Sequence, residues 1–267
     1  MTVRVGLTLP SFVEDPEIPI AVARAAEAAG LDAVFVFDHL WRGDAERRRP
    51  ALECFALLGA VAAETSTIAV GTLVARATLR PAATLANSFA TAQRVSGGRL
   101  IAGIGAGDSQ SRAENEAFGL DFGTMTDRVG ALHDAVRATR GGGYPVWVGG
   151  RAAQVREVVP LADGWNVWGG SAHDLAREST LVREIAPAAT ITWGGLVLLG
   201  EDAAAASAKA AARSLTPGVI VGGPERVAAE FGEYVERGAE WLIAGPIDSS
   251  DPHNAAVLGE VRNLLNA

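Results

Sequence analysis

The chain is short of cysteine, lysine and long apolar runs. Cys54 is its only cysteine, and Lys209 is the only lysine among 23 basic residues. A single cysteine excludes a disulfide within the chain and fits a reducing cytoplasm. Cys54 sits in an apolar helix-like run and reads as core packing. The lysine shortage, with abundant alanine and arginine, follows the codon bias of a GC-rich genome. No apolar stretch approaches the ~18 residues that a membrane span needs. The N-terminus enters a strand almost at once, without a basic segment and an apolar one ahead of it, so no signal peptide is expected. No H-E-x-x-H, C-x-x-C or clustered His/carboxylate set is present, so no metal site is expected. No G-x-S-x-G elbow and no G-x-x-x-x-G-K-[ST] loop occurs either. Acidic residues outnumber basic ones, 31 to 23, and the net of −8 argues against a nucleic-acid surface. A small molecule is the expected partner.

What is present is alternation. With 49% hydrophobic residues over 267 positions, the chain can bury one large core, and α/β barrels of this length are often one domain, here 1–267. Strand patterns fall at 3–9, 33–37, 67–72, 99–104, 145–148, 164–168, 191–199 and 241–244. Helix patterns fall at 18–29, 51–64, 81–95, 125–139, 152–159, 172–184, 203–214, 225–237 and 254–265. Strand–helix alternation implies parallel strands, and eight units point to a closed (β/α)8 TIM barrel. The competing reading is a doubly wound open sheet. Its support is Gly103-Ile104-Gly105-Ala106-Gly107, whose spacing departs from the dinucleotide fingerprint.

The ends of the strands carry the chemistry in a barrel of this kind. The run Val34-Phe35-Val36-Phe37 stops at Asp38-His39-Leu40-Trp41. A run with no polar break reads as a strand buried on both faces. The polar stop offers an imidazole for proton transfer and an indole wall for a flat ring, or a capped turn with a hydrogen-bonded loop histidine. Arg76 follows strand three closely enough to face a pocket, whereas Arg80, just before Pro81, reads as decoration of a surface turn. The alternating Gly103, Gly105 and Gly107 leave one side of the backbone bare, where a planar ligand could approach. Asp108 is then either an acid or the cap of a helix opening at Ser109-Gln110-Ser111. Gly149-Gly150-Arg151, leading into the pattern at 152–159, reads as a phosphate site at a helix N-terminus or as a plain turn. Trp165 and Trp168 read as core, and Asn166 as a contact to a phosphate or a ring carbonyl.

As an ordered set these segments resemble the bacterial luciferase-like flavin and deazaflavin superfamily, and within it the oxidoreductases that use coenzyme F420, an 8-hydroxy-5-deazaflavin. The resemblance rests on Gly6-Leu7-Thr8-Leu9-Pro10, Ala26-Glu27-Ala28-Ala29-Gly30-Leu31-Asp32, Asp38-His39-Leu40-Trp41, Gly71-Thr72-Leu73-Val74 and Arg80-Pro81. It continues through Ser96-Gly97-Gly98-Arg99-Leu100, the glycines 103–107, Val146-Trp147-Val148-Gly149-Gly150, Ala162-Asp163-Gly164-Trp165-Asn166 and Val221-Gly222-Gly223-Pro224-Glu225. It implies a ring at the C-terminal mouth of the barrel, with His39 and Asp38 at its reactive edge, Trp41 on the substrate side and Asp108 assisting. It implies that Thr72, Leu73 and Val74 form a bulge behind the ring with a cis peptide at Leu73-Val74. Gly105, Gly107, Gly149, Gly150, Arg151 and Asn166 complete the implied cofactor set. Relatives also carry a long insertion before strand five, which this chain reduces to 140–144, so the pocket is either open or closed by 216–224 or by a partner subunit. Relatives often dimerise, so a homodimer through the small-residue face of 51–64 is implied, against packing on the barrel alone. The activity implied is F420-dependent hydride transfer to or from a small organic substrate. The alternatives are a monooxygenase using reduced FMN and a non-catalytic flavin- or deazaflavin-binding protein.

Overall fold

The computed structural model describes residues 2–42, 49–108 and 111–267. Eight parallel strands close into a barrel: β1 (Arg4–Thr8), β2 (Ala33–Val36), β5 (Ala69–Arg76), β6 (Leu100–Gly105), β7 (Val146–Gly149), β8 (Gly164–Trp168), β9 (Thr190–Leu199) and β11 (Trp241–Pro246). Pairing of β8 with β9 and of β11 with β1 shuts the ring and leaves no open edge. The barrel is the (β/α)8 architecture, and the open sheet is excluded.

The unbroken apolar run of β2 is explained by its two faces. Ala33 and Phe35 point inward and pack with Leu73, Ile101, Trp147, Trp241 and Ile243. Val34 and Val36 point outward into the larger cluster beneath the helices. A parallel barrel strand is covered on both sides, so alternation of polarity has nothing to record. Small residues make room for the large ones inside. A Cβ at either Gly6 or Gly71 would stand 3.0 Å from the Phe35 ring.

The helices that ring the barrel are α1 (Glu17–Ala28), α2 (Cys54–Glu64), α3 (Ala82–Val95), α5 (Met125–Thr139), α6 (Ala172–Ile185), α7 (Ala203–Ala211), α8 (Pro224–Glu236) and α9 (His253–Leu265). Thr124 with Asp127 and Ser171 with Asp174 form reciprocal capping boxes that fix where α5 and α6 begin. Only residues 140–145 separate α5 from β7, so the short connection read from the sequence is present. Among the described residues, no helix is long and apolar enough to cross a membrane.

The expected helix at 152–159 does not form. Turns run from Ala152 and end in a 3-10 helix, Val159–Leu161. Pro160 lacks an N–H to return to residue 156 and disfavours helical geometry at Val159, which stops propagation in a segment already rich in valine. Four further elements were not anticipated. The short pair β3 (Trp41–Arg42) and β4 (Arg49–Pro50) extends from the end of β2. A six-residue helix, α4 (Arg112–Ala117), follows β6. Within the segment 216–224, β10 (Ile220–Gly222) adds to the far end of β9.

Candidate active site

The C-terminal mouth of the barrel begins at the end of β2. Phe37 and His39 follow that strand, and Phe12, from the segment after β1, meets both. The ring centroids of Phe12 lie 6.4 Å from Phe37 and 5.5 Å from His39. Across the mouth, Trp168 meets Phe37 edge-on at 6.1 Å. Its indole lies over Gly194 and Gly245, where an added Cβ would strike the ring. Trp165 is core, as expected, but Trp168 is 37% exposed and forms part of the mouth. The two are three residues apart on one strand and therefore face opposite sides of it.

His39 is held from behind. Its Nδ1 lies 2.8 Å from Glu114 Oε1, while Glu114 Oε2 accepts the backbone N–H groups of Leu40 at 2.8 Å and Trp41 at 3.3 Å. Glu114 is 3% exposed, and its other neighbour is the guanidinium of Arg76 at 2.9 Å. Burial works to raise the Glu114 carboxyl. The hydrogen bond from His39, the Leu40 N–H and the nearby charges of His39 and Arg76 outweigh it and hold the group below its ordinary 4.5. An ionised carboxylate only accepts, so Nδ1 carries the proton and Nε2 is left with the exchangeable position. The His39 side chain is 33% exposed, so that position is open to the mouth.

Asp38 turns the other way. It is 2% exposed, and Arg80 grips it with Nη1 at 2.7 Å and Nη2 at 3.2 Å, while the Arg76 N–H donates to it at 2.9 Å. Arg76 Nε in turn donates to the Asp38 carbonyl, and Arg80 also reaches Glu53. The result is a row of alternating charges running Glu114, Arg76, Asp38, Arg80, Glu53. Arg80 is thus not surface decoration, since a buried carboxylate needs a paired cation, and Arg76 is buried behind the site rather than facing it. Trp41 is buried in β3.

The cis peptide implied at Leu73-Val74 is present, and the register of β5 against β6 shifts there, between Thr72 and Ala75. The Thr72 hydroxyl donates to the Gly103 carbonyl at 2.6 Å. The glycines opposite make room for the bulge itself. A Cβ at Gly103 would collide with the Thr72 carbonyl, one at Gly105 with Val74, and one at Gly149 would lie 2.6 Å from Val74 Cγ1. They seat the bulge, which leaves Val74 partly exposed. A Gly103→Ala protein is therefore expected to lose about 1–3 kcal/mol through forced backbone movement. Gly59, inside α2 with nothing within 4 Å of an added Cβ, provides the contrast, because Gly59→Ala there gains about 0.5–1 kcal/mol. Chemical denaturation of both proteins checks the opposite signs.

Gly107 has φ +74° and lies beside Arg76. Asp108 is exposed and accepts from the Ser111 N–H at 3.0 Å and its hydroxyl at 3.1 Å, the capping arrangement; Ser109 and Gln110 lie outside the described residues. At Gly149-Gly150-Arg151 the helix needed for a helix-terminal phosphate site is missing. Instead Glu178 takes the Ala152 N–H and Arg151 Nη1, each at 2.8 Å. Asn166 is buried and donates to Thr192 Oγ1 at 2.8 Å. A cleft between α6 and α8, lined by Ser179, Arg183 and Glu236 among others, lies on the outer wall, away from these groups.

Residues 3–219 match the family described as luciferase-like monooxygenase, and the chain belongs to that family. It is similar to the F420-dependent glucose-6-phosphate dehydrogenase of Nakamurella multipartita, 33% identical over 133 residues, which cover 49% of this chain and 36% of that protein. The match thus spans little more than a third of that relative. It is also similar to the 5,10-methylenetetrahydromethanopterin reductase of Methanolobus tindarius, 25% identical over 89% of this chain and 77% of that one. Among solved structures, an F420-dependent secondary alcohol dehydrogenase in complex with an F420-acetone adduct superposes with a TM-score of 0.84 at 16% identity, covering all of both chains. The EDTA monooxygenase from Chelativorans gives 0.80 at 14% identity over 98% of this chain and 94% of that one. At such identities the structural likeness speaks for the fold alone.

Proposed function

We propose that the protein is an oxidoreductase that binds coenzyme F420 at the barrel mouth and acts on a small organic substrate there. The observation that carries this reading is His39, a partly exposed imidazole beside an aromatic wall with its Nδ1 committed to an ionised carboxylate. The relationship to F420-dependent enzymes supports the choice of cofactor. A flat tricyclic ring fits the mouth's chemistry, with the partly exposed Val74 of the bulge available to one of its faces. Thr72, Leu73, Val74, Gly105, Gly107 and Gly149 are the residues that would hold the ring, with Asn166 nearby. Gly150 and Arg151 are left out of this set, because Glu178 already takes the Ala152 N–H and Arg151 Nη1 and its carboxylate would repel a phosphate there. When bound, a deazaflavin supplies a two-electron donor or acceptor that transfers hydride.

The protein's own part is proton handling and positioning. His39 Nε2 gives a proton to the substrate oxygen, or takes one from it. Glu114 fixes the ring and its tautomer, and Arg76 keeps Glu114 ionised. Asp38, tied to Arg80, positions the end of β2, while Asp108 is exposed enough to assist at the rim. The alternative is a monooxygenase using reduced FMN, supported by the match to the family described as luciferase-like monooxygenase.

Fluorescence titration separates the two. Oxidised F420 is expected to bind with a dissociation constant of about 10 μM or tighter, or roughly −7 kcal/mol, and FMN more weakly. Tighter FMN binding, with oxygen uptake when reduced FMN is supplied, would replace this reading with the alternative.

A further inference from the structure

The mouth has a second wall whose composition limits what can bind there. On β9, Gly194 faces inward, because its Cβ position is taken by the Trp168 ring. On β11, Gly245 does so for the same reason. Side chains alternate along a strand, so the next inward position on β9 is Leu196. After β11 it is Ile247, whose N–H continues the ladder to the Val197 carbonyl at 2.9 Å. Leu196 is 36% exposed and Ile247 is 37% exposed, each next to buried strand residues. With Trp168 they present three large apolar side chains to solvent at the ends of three adjacent strands, β8, β9 and β11. Phe12 and Phe37 extend this surface to His39.

Among the described residues, the charged groups next to the wall already have neighbours. Asp248, which follows Ile247, is held by Lys209 at 2.8 Å. Arg42 lies over the Phe12 ring, 5.2 Å from its centroid. An anionic or polyhydroxylated substrate would have to give up its hydration to these three apolar side chains without hydrogen bonds from them in return.

We propose that Trp168, Leu196 and Ile247 receive the apolar body of an uncharged substrate whose reacting oxygen reaches His39. This deepens the function proposed above and rests on its placement of chemistry at the mouth. It separates this protein from an enzyme for sugar phosphates and assigns it a hydrophobic alcohol or carbonyl compound.

Trp168 reports on the wall directly, because each of the other five tryptophans is 8% exposed or less. Iodide quenching of tryptophan emission in the full chain should therefore come mainly from Trp168 and be lost in Trp168→Phe. Cyclohexanol is expected to lower the quenching constant about twofold by covering the indole, while glucose 6-phosphate at the same concentration leaves it unchanged. Leu196→Asn should weaken the cyclohexanol effect severalfold with the unfolding temperature and F420 affinity preserved. Equal protection by glucose 6-phosphate, no protection by cyclohexanol, or undiminished protection in Leu196→Asn would each overturn the proposal. F420 affinity, read separately from the cofactor's own fluorescence, keeps the two readings apart. Loss of the cyclohexanol effect with F420 binding intact removes only the substrate class, whereas failure of F420 to bind removes the cofactor and leaves the wall's selectivity standing.

Discussion

Replacing Glu114 with leucine is expected to lower the stability of the protein by about 3–5 kcal/mol at neutral pH. The mutation leaves Arg76 buried without its carboxylate and strands the N–H group of Leu40. In a chain of this size the unfolding temperature should fall by about 10 °C. The pH dependence has a definite sign. The Glu114 carboxyl is held below 4.5 in the folded protein, so its contribution is fully present above the unfolded value and is lost as pH falls through the folded one. The gap between wild type and Glu114→Leu should therefore be widest at neutral pH and narrow in acid. Glu114→Gln keeps the shape but not the charge, so it should recover part of the stability and little of the turnover. A stability gap that stays constant down to pH 3 would show that the carboxylate's ionisation is not what matters.

His39→Asn is expected to slow turnover by about 10²–10⁴-fold, the usual worth of a positioned proton-transfer group. Cofactor affinity should change little, because His39 meets the mouth through one ring nitrogen and the cofactor's proposed seat is the Val74 side. Stability should also change little, since asparagine can still donate to Glu114. The wild-type pH–rate profile should lose one limb in the variant. Stopped-flow measurement of F420 absorbance distinguishes this outcome from one in which the variant fails to bind the cofactor. If turnover persists at the wild-type rate, the proton comes from another group.

The strands were legible because burial writes itself into composition. The run from Val34 to Phe37 has no polar residue, since both of its faces are covered, and the first polar residues after it mark the mouth. The position of His39 followed from that break alone. Its partner did not. Glu114 is 75 residues away, on a helix of six residues too short to show periodicity. The one available signal was a Glu-Asn-Glu triplet shortly after a glycine-rich strand end. Arg80 was misread for a related reason, because an arginine before a proline looks the same whether it faces solvent or a buried carboxylate.

The glycines show the limit most clearly. Alternating glycines at 103, 105 and 107 say that side chains are excluded from one side of the backbone, and they say nothing about what fills the space. The space beside Gly103 and Gly105 is filled by the bulge of β5, which comes from another strand. The same holds for Gly149-Gly150-Arg151, where a turn suited to an anion already holds the carboxylate of Glu178.

The sequence by itself determined the eight-strand alternation, and hence the barrel, and it put Asp38 and His39 at a strand end. These are properties of local pattern and burial. Only the tertiary structure decided that Asp38 is tied to Arg80 while His39 is tied to Glu114, and that Trp168 faces the mouth while Trp165 faces the core. Partnership between charges depends on distances across strands remote in sequence, and no local periodicity records those distances.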